Sequence, residues 1–138
     1  MIARDVPFDK IVHKWQDAPP EEWPSYKYVR KIVKGEKDAV DKWIEWRVRR
    51  YKEYPTAGKI VAKAVRKAGN VRRGVARYLK GKVKTIRSIM ANGWRSDKGR
   101  ITATLREDGM YVINNGYHRI MAMRALKYPS IPEIVICE

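Results

Sequence analysis

The chain has 138 residues, and 31 Lys and Arg against 15 Asp and Glu give it a formal charge of +16. That length suits one domain, and an ordinary 44% apolar content lets it bury a core. A single cysteine excludes an internal disulfide or a cysteine-based zinc cluster and fits a cytoplasmic setting, while no apolar run is long enough to span a bilayer. Charge of this size says little about fold and much about partners: nucleic acid first, an anionic membrane surface second.

Residues 1–55 read as helical. Phe8 to Gln16 places Ile11, Val12 and Trp15 at helical spacing, and Ala18-Pro19-Pro20 stops that segment. His13 falls within it, on the surface or partly buried. Tyr28 to Val33 suits a short helix ended by Gly35. Lys37 to Tyr54 is the clearest helix, with a stripe of Val40, Trp43, Ile44, Val48 and Tyr51. Asp38 near its start and Arg47, Arg49, Arg50 and Lys52 toward its end complement the helix dipole. Trp15, Trp23, Trp43 and Trp46 are expected to fill a small helical core. Trp46, with Trp23, is the candidate for exposure to a base or a protein partner.

Pro55-Thr56 punctuates the chain, with Thr56 a plausible N-cap. Ile60, Val61, Ala64, Val65 and Ala68 form the next apolar stripe, closed by Gly69-Asn70. Val71, Val75, Ala76 and Leu79 predict a short helix ending near Gly81. A third begins at Lys82 and carries Val83, Ile86, Ile89 and Met90. These helices and the residues after them hold Lys59, Lys63, Arg66, Lys67, Arg72, Arg73, Arg77, Lys80, Lys82, Lys84, Arg87, Arg95, Lys98 and Arg100, opposed by Asp97 alone. A merely soluble face mixes both signs, so this imbalance predicts contact with nucleic-acid phosphates and an affinity that falls steeply with salt.

Thr102 to Leu105 and Met110 to Ile113 read as two strands joined at Asp108-Gly109, a pair that suits a tight hairpin because both residues tolerate positive φ. Asn114-Asn115-Gly116 breaks the second strand. Tyr117 to Lys127 then reads as a helix whose Ile120, Met121, Met123, Ala125 and Leu126 pack on a sheet. A Gly-containing turn at a helix start points unpaired N–H groups outward, which makes an anion site, and His118 and Arg119 stand in the first turn. The plainer reading is a strand-to-helix corner with two solvated polar residues.

The run Asp108-Gly109-x-Tyr111-x-Ile113-x-x-Gly116-x-His118-Arg119, then Ala122, Ala125-Leu126 and Ile131-Pro132-x-Ile134-Val135, resembles the ParB/sulfiredoxin superfamily. Lys82 to Asn92 is similar to that family's short helix, and Ala91-Asn92-Gly93-Trp94 to its turn before the hairpin. The resemblance covers the C-terminal half. It implies an α+β fold, with a small ParB/sulfiredoxin-like sheet-and-helix core over residues 56–138 and a helical N-terminal extension over residues 1–55.

A sulfiredoxin needs a cysteine between the Gly and His of this motif, and Tyr117 stands there, so that activity is not expected. ParB partitioning proteins bind a nucleotide at the equivalent turn. That implies a phosphate or nucleotide site at Gly116, His118 and Arg119, to which the turn residues Asn115 and Tyr117 are added as candidates, with a nucleoside triphosphate and Mg²⁺ as the candidate cofactor. Their separate DNA-binding domain follows this fold, so DNA contact is expected here from the core or from residues 1–80.

Other members of the superfamily are nucleases or act in phosphotransfer. A metal-dependent nuclease wants clustered carboxylates, and Asp97, Glu107, Asp108, Glu133 and Glu138 form no recognisable pair, so no protein-held metal is expected. His118 is the candidate general base. The reading is a basic nucleic-acid-binding protein, DNA before RNA, with a homodimer as the candidate assembly. The alternative is a nuclease or nucleotide-dependent phosphotransferase using the same turn. A third is an interaction module built on the Trp-rich N-terminal helices. A small basic protein of this kind suits a plasmid, a virus or another mobile element.

Overall fold

The structure is a computed structural model that describes residues 1–55 and 58–137, with the Lys98 side chain also left outside the description. Thr56, the expected cap, and Glu138 lie outside the described residues. Five strands, β1 (Ile2–Val6), β2 (Ile11–Val12), β3 (Thr102–Leu105), β4 (Tyr111–Asn115) and β5 (Ile131–Ile136), form one mixed sheet. Its order is β1-β5-β3-β4-β2, with β1/β5 and β3/β4 antiparallel and β3/β5 and β2/β4 parallel. The helices are α1 (Tyr26–Val33), α2 (Ala39–Glu53), α3 (Lys59–Ala68), α4 (Val71–Asn92) and α5 (Tyr117–Ala125). The fold is α+β.

The first dozen residues depart from expectation. No α-helix covers Phe8 to Gln16, where a single 3-10 turn at Phe8–Lys10 precedes the strand; Ile11 and Val12 pair with Tyr111 and Val112, and Val6 sits opposite Ile131. Strand pairing to the far end of the chain overrides the local helical spacing, and both edge strands of the sheet come from the N-terminus. Pro132 brings no N–H to the β1/β5 ladder, and the register skips Asp5, which turns to φ +50.

The helix expected to end near Gly81 does not end there. Asn70 caps α4 by accepting the Arg73 N–H at 2.9 Å, and the helix continues for 22 residues. Val75, Leu79, Val83, Ile86 and Ile89 keep one buried stripe across the glycine, so packing outweighs a cost of about 1 kcal/mol. The hairpin also differs in kind. Its loop is the three residues 107–109, closed by the Gly109 N–H to the Arg106 carbonyl at 3.0 Å, and only Gly109 takes positive φ. Asp108 serves that turn: its carboxylate accepts the Met110 N–H and pairs with Arg106, which holds its pKa down near 2, and Arg106 also reaches Asp17 at 2.8 Å.

One apolar core joins sheet and helices through Ile11, Val29, Trp43, Ile86, Ile101, Ile113, Ile120, Met123 and Ile134. Helix α4 meets α3 at Gly74, where a Cβ would come within 2.7 Å of the Val65 backbone nitrogen. Gly74→Ala is therefore expected to lower stability by about 2 kcal/mol or more. Gly81 has open space around it, and Gly81→Ala is expected to raise stability by about 1 kcal/mol. Urea midpoints of the two variants check both signs, and a destabilising Gly81→Ala would contradict the unbroken helix.

Candidate functional site

Reading α4 as one helix places Tyr78, Lys82 and Thr85 on one flank, spaced by four and three residues. They form one wall of a cavity of about 420 Å³. Another wall runs from the end of β4 through Gly116 into the start of α5, from Asn114 to Arg119. Arg47 of α2, Lys14 and Trp15 after β2, and Lys59 and Ile60 of α3 complete it. Five cations, Lys14, Arg47, Lys59, Lys82 and Arg119, thus share one recess, and no Asp or Glu lies among its described lining residues.

The turn has its shape because Gly116 sits at φ +107 with its Cα pressed on Ile101; a Cβ there would come within 2.9 Å of that side chain. The first helical N–H bond of α5 runs from Ile120 to the Gly116 carbonyl, so the N–H groups of Tyr117 and His118 precede the helix's own ladder. The Arg119 guanidinium lies across Gly99, where any side chain would collide with it.

Electrostatically the recess is strained. The Arg47 Nη1 is buried without a hydrogen-bond partner among the described residues, its guanidinium lies against Gly58, and burial pushes its pKa down. Burial, then the charge of Arg119, pushes Lys82 down as well. His118 stacks obliquely near Trp43 at 5.7 Å and faces Tyr78 at 6.5 Å. Burial first, then Lys82, Arg119 and Arg47, lowers its pKa to about 3. At pH 7 it is a neutral hydrogen-bonding group, not a charged phosphate ligand, and it takes up a proton with difficulty. Tyr117 turns its ring to His13 and Trp23, at 4.6 and 5.5 Å, and its hydroxyl donates to the Ile113 carbonyl.

Of the fourteen basic residues expected at nucleic acid, Lys98 has its side chain outside the description, and the other thirteen do not share one face. Lys59 and Lys82 join the cavity. Arg73, Arg77, Lys80, Lys84 and Arg87 form an exposed stripe on the side of α4 away from its buried residues. Lys63, Arg66 and Lys67 are exposed on α3, Arg72 and Arg100 are exposed separately, and Arg95 is paired with Asp97 at 2.8 Å. Lys84 and Arg95 also line a recess of about 200 Å³ that shares Thr85 and Arg119 with the cavity. Of the four N-terminal tryptophans expected in the core, Trp23 and Trp43 lie in it and Trp46 packs against it, and Trp15 alone departs. Trp23 is buried and donates to the Ala18 carbonyl at 2.8 Å, and Trp46 is half-buried against Tyr28 and Arg50, whereas Trp15 is 80% exposed.

Sequence reasoning missed Arg47, Lys14, Trp15, Tyr78 and Thr85. Arg47 carried a signal: it lies four residues after Trp43 and four before Tyr51, a charge set inside an apolar stripe. Tyr78 and Thr85 were obscured by dividing α4 at Gly81. The lining fits the phosphates of a nucleoside triphosphate but not its metal, because no carboxylate is there to hold Mg²⁺. Among the described residues, no group of three or more His, Cys, Asp and Glu is placed to hold a metal ion, and no helix is long and apolar enough to cross a membrane. The chain matches no family model, no curated protein sequence and no solved structure.

The state of His118 has a consequence for stability. Its folded pKa, about 3, lies below its ordinary 6.5, so between those values the unfolded chain takes a proton that the folded chain refuses. The contribution is complete above pH 6.5 and is lost on acidification toward pH 3, by an amount on the order of a few kcal/mol. Urea midpoints measured from pH 7 down to about 4 are expected to fall more steeply in the wild type than in His118→Gln. Parallel curves would contradict the buried neutral imidazole.

Proposed function

We propose that the chain binds nucleic acid, DNA before RNA, on a ParB/sulfiredoxin-like core, and that the turn from Asn115 to Arg119 with Arg47 and Lys82 grips a phosphate. The observation that carries this reading is the recess of five cations with no described carboxylate in its lining. A half-buried guanidinium whose Nη1 has no hydrogen-bond partner among the described residues is costly, and an anion from outside is the simplest group to complete it. Two oxygens of one phosphate suit the fork of an arginine and the backbone N–H groups that a helix start points outward. The exposed stripe on α4 extends the same chemistry along a polyanion: each phosphate it neutralises releases counterions, so the strip adds affinity without reading sequence.

The enzymatic alternative would use His118 at the same turn. Its lowered pKa makes it a weak proton acceptor while the recess is empty, and an anion among Lys82, Arg119 and Arg47 would raise it. Binding is thus the better-supported role.

Fluorescence anisotropy on labelled DNA across a salt series, with products run on a gel, tests the reading. Affinity is expected to fall steeply with salt while the DNA stays intact. Lys82→Met and Arg47→Met are each expected to weaken binding roughly tenfold. Arg47→Met is also expected to raise the urea midpoint slightly, because one guanidinium nitrogen of the half-buried Arg47 has no hydrogen-bond partner among the described residues. No binding at low salt would overturn the proposal, and strand cleavage lost in His118→Gln would replace it with the nuclease.

A further inference from the structure

Beside the cationic cavity lies another of about 300 Å³, and Arg47, Tyr78, Tyr117 and His118 belong to the walls of both. The second recess is distinguished by its rings: His13, Trp23 and Trp46 line it together with Trp15, which it also shares with its neighbour. Its size is at the lower end of the range for small planar ligands. Trp15 stands 80% exposed, with the Lys14 ammonium 5.4 Å from its ring. Its backbone is fixed, since the Trp15 N–H donates to His13 Nδ1 at 3.1 Å. An indole held out to solvent at the border of an aromatic recess and a cationic one combines a stacking surface with a phosphate grip.

We propose that this double recess takes an unpaired nucleobase, stacked on Trp15, with its phosphate among Arg47, Lys82 and the first turn of α5. The ligand class is a single strand or an unpaired strand end, not an intact duplex. This deepens the nucleic-acid reading above and rests on it. In a duplex both faces of each base are covered by neighbours and its edge is paired, so no base reaches such a recess without leaving the stack. Stacking accepts any base, which fits a site whose other contacts are to phosphate.

The test compares a labelled oligothymidylate with a labelled blunt two-stranded duplex of equal phosphate count at one salt concentration, using the full chain, Trp15→Ala and Trp15→Phe. The single strand is expected to bind about tenfold more tightly than the duplex, Trp15→Ala to abolish that margin and Trp15→Phe to keep most of it. Trp15 is outside the apolar core, so these variants keep the fold. Equal affinity for both probes in the wild type would overturn this inference and leave the charge-driven reading standing. A preference that survives Trp15→Ala would also overturn it. Displacement of the strand by an equal concentration of free nucleoside triphosphate would assign the recess to a nucleotide instead. Failure of both probes to bind at low salt would overturn the nucleic-acid reading as well.

Discussion

The candidate site depends on one close approach between helices. At Gly74, α4 comes so near α3 that the Val65 backbone fills the space a side chain would need. That contact brings the start of α3, with Lys59 and Ile60, to the cavity that the first turn of α5 also lines. The same helix α4 then supplies Tyr78, Lys82 and Thr85 to the wall, Val75, Leu79, Val83 and Ile86 to the core, and Arg73, Arg77, Lys80 and Lys84 to solvent. Three chemistries therefore run along one rigid rod, and their relative placement is set by helical geometry rather than by loops.

The C-terminal half was the more legible part of the sequence because its signals are local. Gly116 needs positive φ beside Ile101, β-branched and aromatic residues flank Asp108-Gly109, and α5 carries a run of apolar residues. The hairpin's existence follows from such signals, but its loop type does not, since Asp108-Gly109 serves a three-residue loop as well as a two-residue one. Strand β1 left no comparable trace. Ile2-Ala3-Arg4-Asp5-Val6 has weak alternation, and what makes it a strand is β5, more than a hundred residues away, with Arg4 set opposite Glu133 at 3.8 Å. Propensity cannot report a partner that distant.

The glycines show the same division. Gly69 stops α3 by turning left-handed, while Gly81 stops nothing because the apolar stripe of α4 passes through it in register. A glycine's effect is decided by what packs on either side. For the site, that error separated Tyr78 from Lys82 and Thr85 and hid a wall of the cavity. Trp15 departs for a related reason: it has helical spacing to Ile11 and Val12, but the strand that actually forms there sends Trp15 past its end and into solvent.

The charge is then best understood as stored repulsion. Arg47, Lys82 and Arg119 surround a histidine that they and burial keep unprotonated, and no carboxylate in the described lining offsets them. A protein selected for stability alone could replace Arg47 with an apolar residue of similar volume, as the stripe of α2 around it would accept. Retaining a guanidinium there makes sense when a ligand supplies the missing charge. On the proposed reading, an anion in the recess would relieve repulsion in the folded state with no equivalent in the unfolded chain, so ligand affinity and folding stability would rise together. On this account the neutral His118 is the measure of the strain, because any anion entering the recess must draw its pKa upward toward the ordinary value.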